Sequence, residues 1–487
     1  MSSLTTALAI AQSALRTTGK QTSIVSRNIS EAQNPDYTRR IAAVSSTAPG
    51  ARSISVQRAV DALLFKNNLN AQSAFQAQQT LYDGMERLGL AVNGVENVSS
   101  AATMLGKLQE ALQTYSSAPS NRNLGQNAVE AARDLVRSLN DGTNAIQSFR
   151  GDMDSQIGIA VNQLNDLLGQ FKDANTEIVK GTHSGSDVSD ALDRRDALLK
   201  QISSLVSVST FTRTDNDMVI MTADGATLFE TVPRSVTFNP NAIYSATTSG
   251  NAVYVDGVPL AAGAGGNTNA GGKIAGLLQL RDEVGGTMQS QLDEIARGLI
   301  TAFAETDPSG TLAPQAGLFT WSGGPAIPAS GTLVSGLAGT ISLNAAFDSA
   351  AGGDPSLLRD GGANGVAYKH NTTGAASYSD LLFSYSKNLD APMAFDPAAS
   401  NGTTLSLSSF STNAISWFEG MRSNASTAAD AKAALATQTA ESLSNLTGVN
   451  VDTEMSMLLD LENAYEASAR IIQTINDMLR ALLDAVR

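Results

Sequence analysis

The C-terminal stretch 451–487, VDTEMSMLLDLENAYEASARIIQTINDMLRALLDAVR, carries the clearest structural signal in this chain. Apolar side chains recur in it every seven positions, and a second apolar set lies between them. The first set is Val451, Leu458, Tyr465, Ile472, Leu479 and Val486, and the second is Leu461, Ile475 and Leu482. This alternation of three and four positions is typical of a coiled-coil seam. Because no glycine or proline interrupts the stretch, it predicts one continuous helix.

The N-terminus carries a weaker version of the same pattern. Its apolar or small residues also alternate in spacing between four and three positions: Leu4, Leu8, Ala11, Leu15, Thr18, Thr22, Val25 and Ile29. Since threonine and alanine interrupt this seam, we expect the helix to need a partner in order to fold. The tripeptide Asn34-Pro35-Asp36 ends it, because Pro35 disfavours the helical region for Asn34.

Opposite charges on the two ends favour their pairing. Residues 1–60 contain seven basic and two acidic side chains, a net charge of +5, whereas residues 441–487 contain three basic and eight acidic ones, a net charge of −5. Charge of this kind selects a partner and a register more than it adds affinity. The pattern therefore predicts that the two ends form one coiled coil. The alternative is that two independent amphipathic helices pack on a globular core.

The middle of the chain changes character twice. Residues 58–180 keep helical spacing, with a break at Ala118-Pro119-Ser120. From about 205 short strand and turn patterns begin, such as Met218–Met221 after Asp215-Asn216-Asp217. Residues 233–410 are rich in small and polar residues and predict short strands and loops, with one helix around Met288–Phe303.

These patterns predict a multidomain α+β protein with a nested layout. The first part is a terminal coiled-coil core of residues 1–57 with 441–487. The second is a helical inner domain formed by a bundle of residues 58–180 with 271–305 and 411–440. The third is a β-rich outer domain inserted furthest from the ends, residues 181–270 with 306–410.

Composition excludes several classes of function. The net charge of −14 disfavours a nucleic-acid partner, because no broad basic surface is available. With 0 cysteines the chain has no thiol nucleophile and no cysteine-based metal site, and its 2 histidines do not have metal-ligand spacing. No apolar run reaches the length of a membrane span, and Met1–Leu15 lacks the basic residues of a cleavable signal peptide. We therefore expect no membrane insertion, no cofactor and no signal cleavage.

Candidate catalytic residues are few. His183 and His370 lie in polar, glycine-rich or asparagine-containing surroundings that are typical of exposed loops. Asp193 and Asp196, in the run Asp193-Arg194-Arg195-Asp196, could form an acid/base pair. Because each is flanked by arginine near the start of a helix, a structural network of ion pairs is the favoured interpretation. We therefore expect no enzyme activity.

One segment near the N-terminus carries a recognisable signature. The run Ser26-Arg27-Asn28-Ile29-Ser30-Glu31-Ala32-Gln33-Asn34-Pro35-Asp36-Tyr37-Thr38-Arg39-Arg40 resembles the N-terminal signature of bacterial flagellar axial proteins. Asn28, Ile29, Pro35, Tyr37 and Arg39 are among the residues that match. Asp36 stands where the signature has glycine, and aspartate tolerates the left-handed backbone region better than most residues.

Further segments narrow the resemblance to the FlgK-type hook-associated proteins. The run 190–199, which includes Asp193, Arg195 and Asp196, looks like one element of that family. Residues 272–282 and Gly317-Leu318-Phe319 are similar to two others. Residues 448–455 and 464–470 resemble the C-terminal helix of the family closely. The resemblance therefore runs from end to end, with loose similarity between 320 and 410.

The resemblance implies a structural function, a set of partners and a location. Such subunits form the junction between hook and filament in the bacterial flagellum, outside the cell. They leave the cytoplasm unfolded through the flagellar type III system, without a cleaved signal. Their partners are copies of themselves in a ring, the hook protein, a second junction protein, and an export chaperone that binds the C-terminal helix. Here the chaperone would cover Leu458, Tyr465, Ile472 and Leu479.

Two alternatives stay open at this stage. The chain could be another axial subunit such as the hook protein, although the segment at Asp193–Asp196 argues against this. The β-rich middle could instead be an adhesive domain carried on an axial protein.

Overall fold

The computed structural model describes residues 2–47, 51–93, 98–261, 266 and 270–485. Helices dominate this part of the chain. The α-helices are α1 Ser2–Ser30, α2 Ala62–Leu88, α3 Ala101–Ser117, α4 Arg122–Ser184, α5 Ser189–Leu205, α6 Lys273–Gln279, α7 Gly285–Ala302, α8 Leu337–Thr340, α9 Leu357–Asp360, α10 Asp380–Asp390, α11 Leu407–Thr447 and α12 Val451–Ala485.

The described strands are short and form sheets of two or three strands. They are β1 Arg40–Thr47, β2 Ala51–Arg58, β3 Val208–Thr212, β4 Met218–Thr222, β5 Thr227–Phe229, β6 Val236–Thr237, β7 Tyr254–Val255, β8 Val258–Pro259, β9 Phe319–Thr320, β10 Ser342–Leu343, β11 Met393–Ala394 and β12 Thr404–Leu405. β1 and β2 form an antiparallel hairpin in which Arg40 lies opposite Arg58. The sequence analysis did not predict this hairpin.

The structure confirms the predicted fold class of long terminal helices with a β-containing part. α1 ends at Ser30, before the predicted stop at Asn34, and α12 begins at Val451 as predicted. The break at Pro119 separates α3 from α4. The turn before β4 contains Asp215 and Asn216 with positive φ angles of 56° and 60°. Asp36 does not adopt a positive φ angle. The expected left-handed turn at this position is therefore absent.

Contacts divide the chain into two units. The terminal unit comprises Met1–Ser73, Gln163–Val236 and Lys432–Arg487, and the central unit comprises Ala74–Asn162 and Thr237–Ala431. The three-part division predicted from the sequence stays a prediction.

The core of the terminal unit joins a helix to a small sheet. Strand β4 is buried over Met218, Val219 and Ile220. Phe171 from α4 meets Phe229 from β5 edge to face, with ring centroids 5.0 Å apart. An edge-to-face pair adds about 1 kcal/mol beyond its buried area. This packing holds α4, β4 and β5 together as a support for the rest of the unit.

The central unit is built around α6 and α7, which are almost fully buried. A π-helical turn, Leu280–Val284, connects them. In this turn the guanidinium of Arg281 pairs with the buried carboxylate of Asp154 at 2.6 Å. Gly276 lets the backbones approach closely, since a Cβ there would lie 2.6 Å from the carbonyl oxygen of Ala77.

Candidate functional site

Helices α1 and α12 pack along each other within the terminal unit. The buried positions of the predicted seam are Ala11, Thr18 and Val25 of α1 and Leu461 and Ile475 of α12. The end of α1 meets the start of α12, so the two helices run antiparallel. Two helices of the lengths seen here can bury one stripe each, and the remaining faces stay in contact with solvent.

The other predicted seam residues lie around this buried line. Those that are half-buried are Leu4, Leu8, Leu15, Ile29, Leu458, Ile472 and Leu479. Tyr465 and Leu482 are exposed, at 48% and 43% of their surface. Val486 lies outside the described residues. The intramolecular pair therefore covers only part of the predicted seam.

Asn28 is the point at which the two ends meet, and it is 1% exposed. Its Nδ2 group donates to the carbonyl oxygen of Arg40 and to the Glu454 carboxylate, each at 2.9 Å. Its Oδ1 atom accepts from the Arg40 backbone N–H at 3.0 Å and from the Tyr37 hydroxyl at 2.8 Å. All four hydrogen-bonding positions of the amide are therefore used.

Glu454 is the matching residue on α12 and is also 1% exposed. One oxygen accepts from Asn28, and the other accepts from the Nε group of Arg39 at 2.6 Å. The backbone N–H of Arg39 also donates to Thr447, just before α12, at 2.8 Å. Because a buried carboxylate is costly unless it is paired, this residue fixes the register of the two helices.

A network of arginines and aspartates links the hairpin to α5. Arg40 pairs with Asp193, and also with Asp190 at 3.1 Å. Arg58 lies 2.7 Å from Asp193 and 2.5 Å from Asp196. Breaking one side of a buried ion pair costs about 3 to 5 kcal/mol. The two predicted aspartates are thus both engaged by arginines of the hairpin.

Burial shifts two pKa values next to this network. It raises the pKa of the Tyr37 hydroxyl to about 12, although the nearby Arg40 and Arg27 oppose the shift. It also lowers the pKa of Arg195 to about 10. Arg195 donates to Asn175 Oδ1 at 3.1 Å and to the carbonyl oxygen of Asn216 at 2.6 Å. Tyr37 therefore stays a hydrogen-bond donor, and Arg195 holds α4 and the turn before β4.

The signature loop after α1 is closed by its own side chains. Asn34 Oδ1 accepts from the backbone N–H of Asp36 at 3.1 Å, and Tyr37 N–H donates to the Asn34 carbonyl. The Asp36 carboxylate pairs with Lys200 of α5 at 3.0 Å. Pro35 is exposed at the tip. Aspartate at position 36 thus adds an ion pair and needs no left-handed backbone.

A groove of about 1350 Å³ opens beside this loop. Its walls are the loop 31–38, the end of β2, the start of α2, residues 186–204 and residues 440–450. All of these belong to the terminal unit. An open concavity of this size at a subunit surface suits a protein segment better than a small molecule.

A second apolar line runs along the exposed side of α12. It consists of Met457, Ala464, Ile471 and Met478, spaced seven residues apart, and we call it the outer stripe. All four residues are exposed, and the line lies next to the seam that faces α1. A helix with two adjacent apolar faces is typical of packing against more than one neighbour.

Several of these residues were missed by the sequence analysis. Glu454, Arg40, Arg58 and Asp190 had no assigned function. Two signals in the sequence point to them. The opposite charges of the two ends indicate ion pairs between them, and the alternation of Ile54 and Val56 with polar residues indicates the strand β2. Within the described ranges, no group of acidic residues and histidines has the geometry of a metal site. No described helix is long and apolar enough to cross a membrane.

Two family models match the chain. One describes the helical domain of the flagellar hook-associated protein FlgK and covers residues 92–318. The other describes the C-terminal region of the flagellar basal body rod proteins FlgEFG and covers residues 444–485. The second match contains Glu454 and the whole of α12.

A curated protein and a solved structure also resemble the chain. Flagellar hook-associated protein 1 of Escherichia coli (strain K12) is 24% identical over 312 residues, which cover 60% of this chain and 54% of that protein. The flagellar hook junction protein FlgK from Burkholderia pseudomallei is 20% identical, with a TM-score of 0.42 over 53% of this chain and 47% of that one. The chain therefore spans about half the length of each relative.

Proposed function

We propose that the chain, whose residues 92–318 match the helical domain of the flagellar hook-associated protein FlgK, is a subunit of the junction between hook and filament. The observation that carries this proposal is the pairing of α1 with α12 through Asn28 and Glu454. It joins the two ends of the chain into one element that a neighbouring subunit can pack against. The protein thus acts by assembly and not by catalysis.

The partly covered seam supports assembly with further copies. The pair α1–α12 leaves Tyr465, Leu482 and the outer stripe exposed. Burying apolar surface stabilises association by about 25 cal/mol per Å² before the entropy cost of binding. We propose that copies of the chain form a ring, with the hook protein on one side and a second junction protein on the other.

The same exposed surface suits a chaperone before export. Leu458, Tyr465, Ile472 and Leu479 lie along α12, and α1 covers them only in part. An export chaperone that replaced α1 would cover this face and keep the C-terminal segment from aggregating. We propose that the chain then leaves the cytoplasm through the flagellar type III system without a cleaved signal.

The position and number of copies test this proposal. Gold-labelled antibodies against the chain should mark one short band at the distal end of each hook. The alternative is another flagellar axial subunit, such as the hook protein, because the C-terminal match is to basal body rod proteins. Label spread along the whole length of the hook would favour that alternative and contradict the junction proposal.

A further inference from the structure

The groove beside the signature loop carries charge that the chain itself does not neutralise. Glu31, Asp61 and Asp187 line it, and none of them forms an ion pair with a described residue. Asp61 and Asp187 instead accept hydrogen bonds from backbone N–H groups at the starts of α2 and α5. Capping of this kind leaves most of the negative charge of a carboxylate unbalanced.

The cations of the groove offset only part of this charge. Lys200 is paired with Asp36, and the side chain of Arg58 is buried against Asp193 and Asp196. Arg195 is buried, and the lining as a whole contains five carboxylates against three cations. The open part of the groove is therefore anionic.

Apolar side chains border the same opening. Val60 lines the groove and is 62% exposed, while Leu63, Leu446 and Val451 are exposed beside lining residues. Exposed apolar residues around a polar concavity are typical of protein–protein interaction sites. The groove thus fits a protein segment that carries positive charge between small or apolar residues.

One segment of the chain has this character. The outward face of α1 presents Arg16 and Lys20, four residues apart, next to Ala9, Gln12 and Gly19, and all five are exposed. Neither cation forms an ion pair with a described residue. A Cβ atom at Gly19 would meet nothing within 4 Å, so the helix surface is open there. A neighbouring backbone can approach such a face closely.

We propose that the groove of one subunit receives the basic face of α1 from a second copy of the chain. This inference rests on the proposed assembly function and names the contact through which copies join. It is a head-to-tail contact between two different surfaces, so it can close into a ring. The outer stripe of α12 stays available for another neighbour.

Disulfide cross-linking between two variants tests the contact directly. Because the native chain contains 0 cysteines, a disulfide can form only between the introduced residues. Full-length chains with Gly19→Cys are mixed with chains carrying Ser186→Cys, which is exposed on the groove wall. The mixture is assembled on isolated hooks from a strain that lacks the chain, and then oxidised. We expect a disulfide-linked heterodimer on non-reducing gels.

The matched control replaces Gly169 of α4 with cysteine, since an added Cβ atom meets nothing within 4 Å at this helical position either. Its mixture with Ser186→Cys should yield little heterodimer. Cross-linking of Gly19→Cys to Asp460→Cys on α12 in place of Ser186→Cys would overturn the inference and leave the proposed function intact. Failure of the unmodified chain to bind hooks would overturn both.

Charge exchange gives a second, independent readout. The double change Arg16→Glu with Lys20→Glu should weaken incorporation roughly five-fold, because two exposed ion pairs are lost. Adding Glu31→Lys and Asp187→Lys to the same chain should restore it. Lys172→Glu with Lys180→Glu makes the same change in net charge on exposed sites of α4 and should have no effect. No restoration by the groove changes would contradict the proposed contact.

Discussion

Replacing Asn28 with aspartate removes the amide that links the two ends of the chain and keeps the size of the side chain. In the variant, a carboxylate oxygen replaces the amide nitrogen that donates to Glu454, and it lies about 2.9 Å from an oxygen of the Glu454 carboxylate. The donor to the Arg40 carbonyl oxygen is lost at the same time. Because both sites are buried, water cannot compensate for either change.

The expected loss can be worked out from these contacts. One unsatisfied buried acceptor costs about 1 to 3 kcal/mol, and two like charges at this separation cost several more unless one carboxyl keeps its proton. We expect the α1–α12 pair to lose about 3 kcal/mol at pH 8. The new carboxyl group at position 28 and Glu454 share one proton at low pH, and they hold it more tightly in the folded state than in the unfolded chain. The stability that it provides is therefore present at pH 5 and is lost as the pH rises.

Hydrogen exchange of residues 2–30 and 451–485 measures this effect without requiring the whole chain to unfold in one step. At pH 8 exchange in both segments should become up to about a hundred times faster, which corresponds to about 3 kcal/mol. After correction for the intrinsic effect of pH, the difference from the native chain should shrink at pH 5. Ser26→Asp is the control, since it adds the same charge at an exposed position of α1.

Two results would refute this reasoning. Equal exchange in Asn28→Asp and Ser26→Asp would mean that Asn28 does not hold the two helices together. A loss that is independent of pH would mean that the new carboxyl group does not face Glu454. The double variant with Glu454→Gln restores an amide opposite a carboxylate, and it should recover part of the lost protection.

Three further predictions follow from the structure. Ile475→Asp should abolish incorporation into flagella and expose α1 to hydrogen exchange, because it buries a charge in the seam. Leu459→Asp, at a position 58% exposed, should leave α1 protected from hydrogen exchange. Equal exchange of α1 in the two variants would contradict the pairing of α1 with α12. Asp193→Asn should cost about 3 kcal/mol in the free energy of unfolding of the terminal unit, since Arg40 and Arg58 lose a shared partner; a urea denaturation midpoint like that of the native chain would disprove this. Burial raises the pKa of Asp293 in α7 to about 6. As the pH rises from 4 to 6, the free energy of unfolding of the native chain should therefore fall by on the order of 2 to 3 kcal/mol relative to that of Asp293→Asn. Parallel curves of stability against pH for the two chains would contradict this.

The sequence predicts the long helices well because their signals are local and repeated. α12 shows a seven-residue repeat over its whole length, and the break at Pro119 follows from the backbone of proline itself. These features depend on residues close together in the chain. The existence of α1 and α12 and the start of α12 could therefore be predicted from the sequence.

The centre of the site could not be predicted in this way. Glu454 looks like an ordinary acidic residue in the first turn of a helix, yet it is buried against Asn28 and Arg39. Its burial arises from the pairing of segments that are more than 400 residues apart in sequence. The hairpin of β1 and β2 was missed for a similar reason. Its arginines look solvent-exposed until α5 brings Asp193 and Asp196 next to them.

We propose that the chain is the junction on which the filament is built. Deletion of its gene, with electron microscopy of the hooks and a motility assay, tests this most directly. We predict intact hooks without filaments, with filament subunits lost to the medium. Normal filaments on the deletion strain would contradict the account, and absence of the hooks themselves would move the protein inward to the rod or the hook.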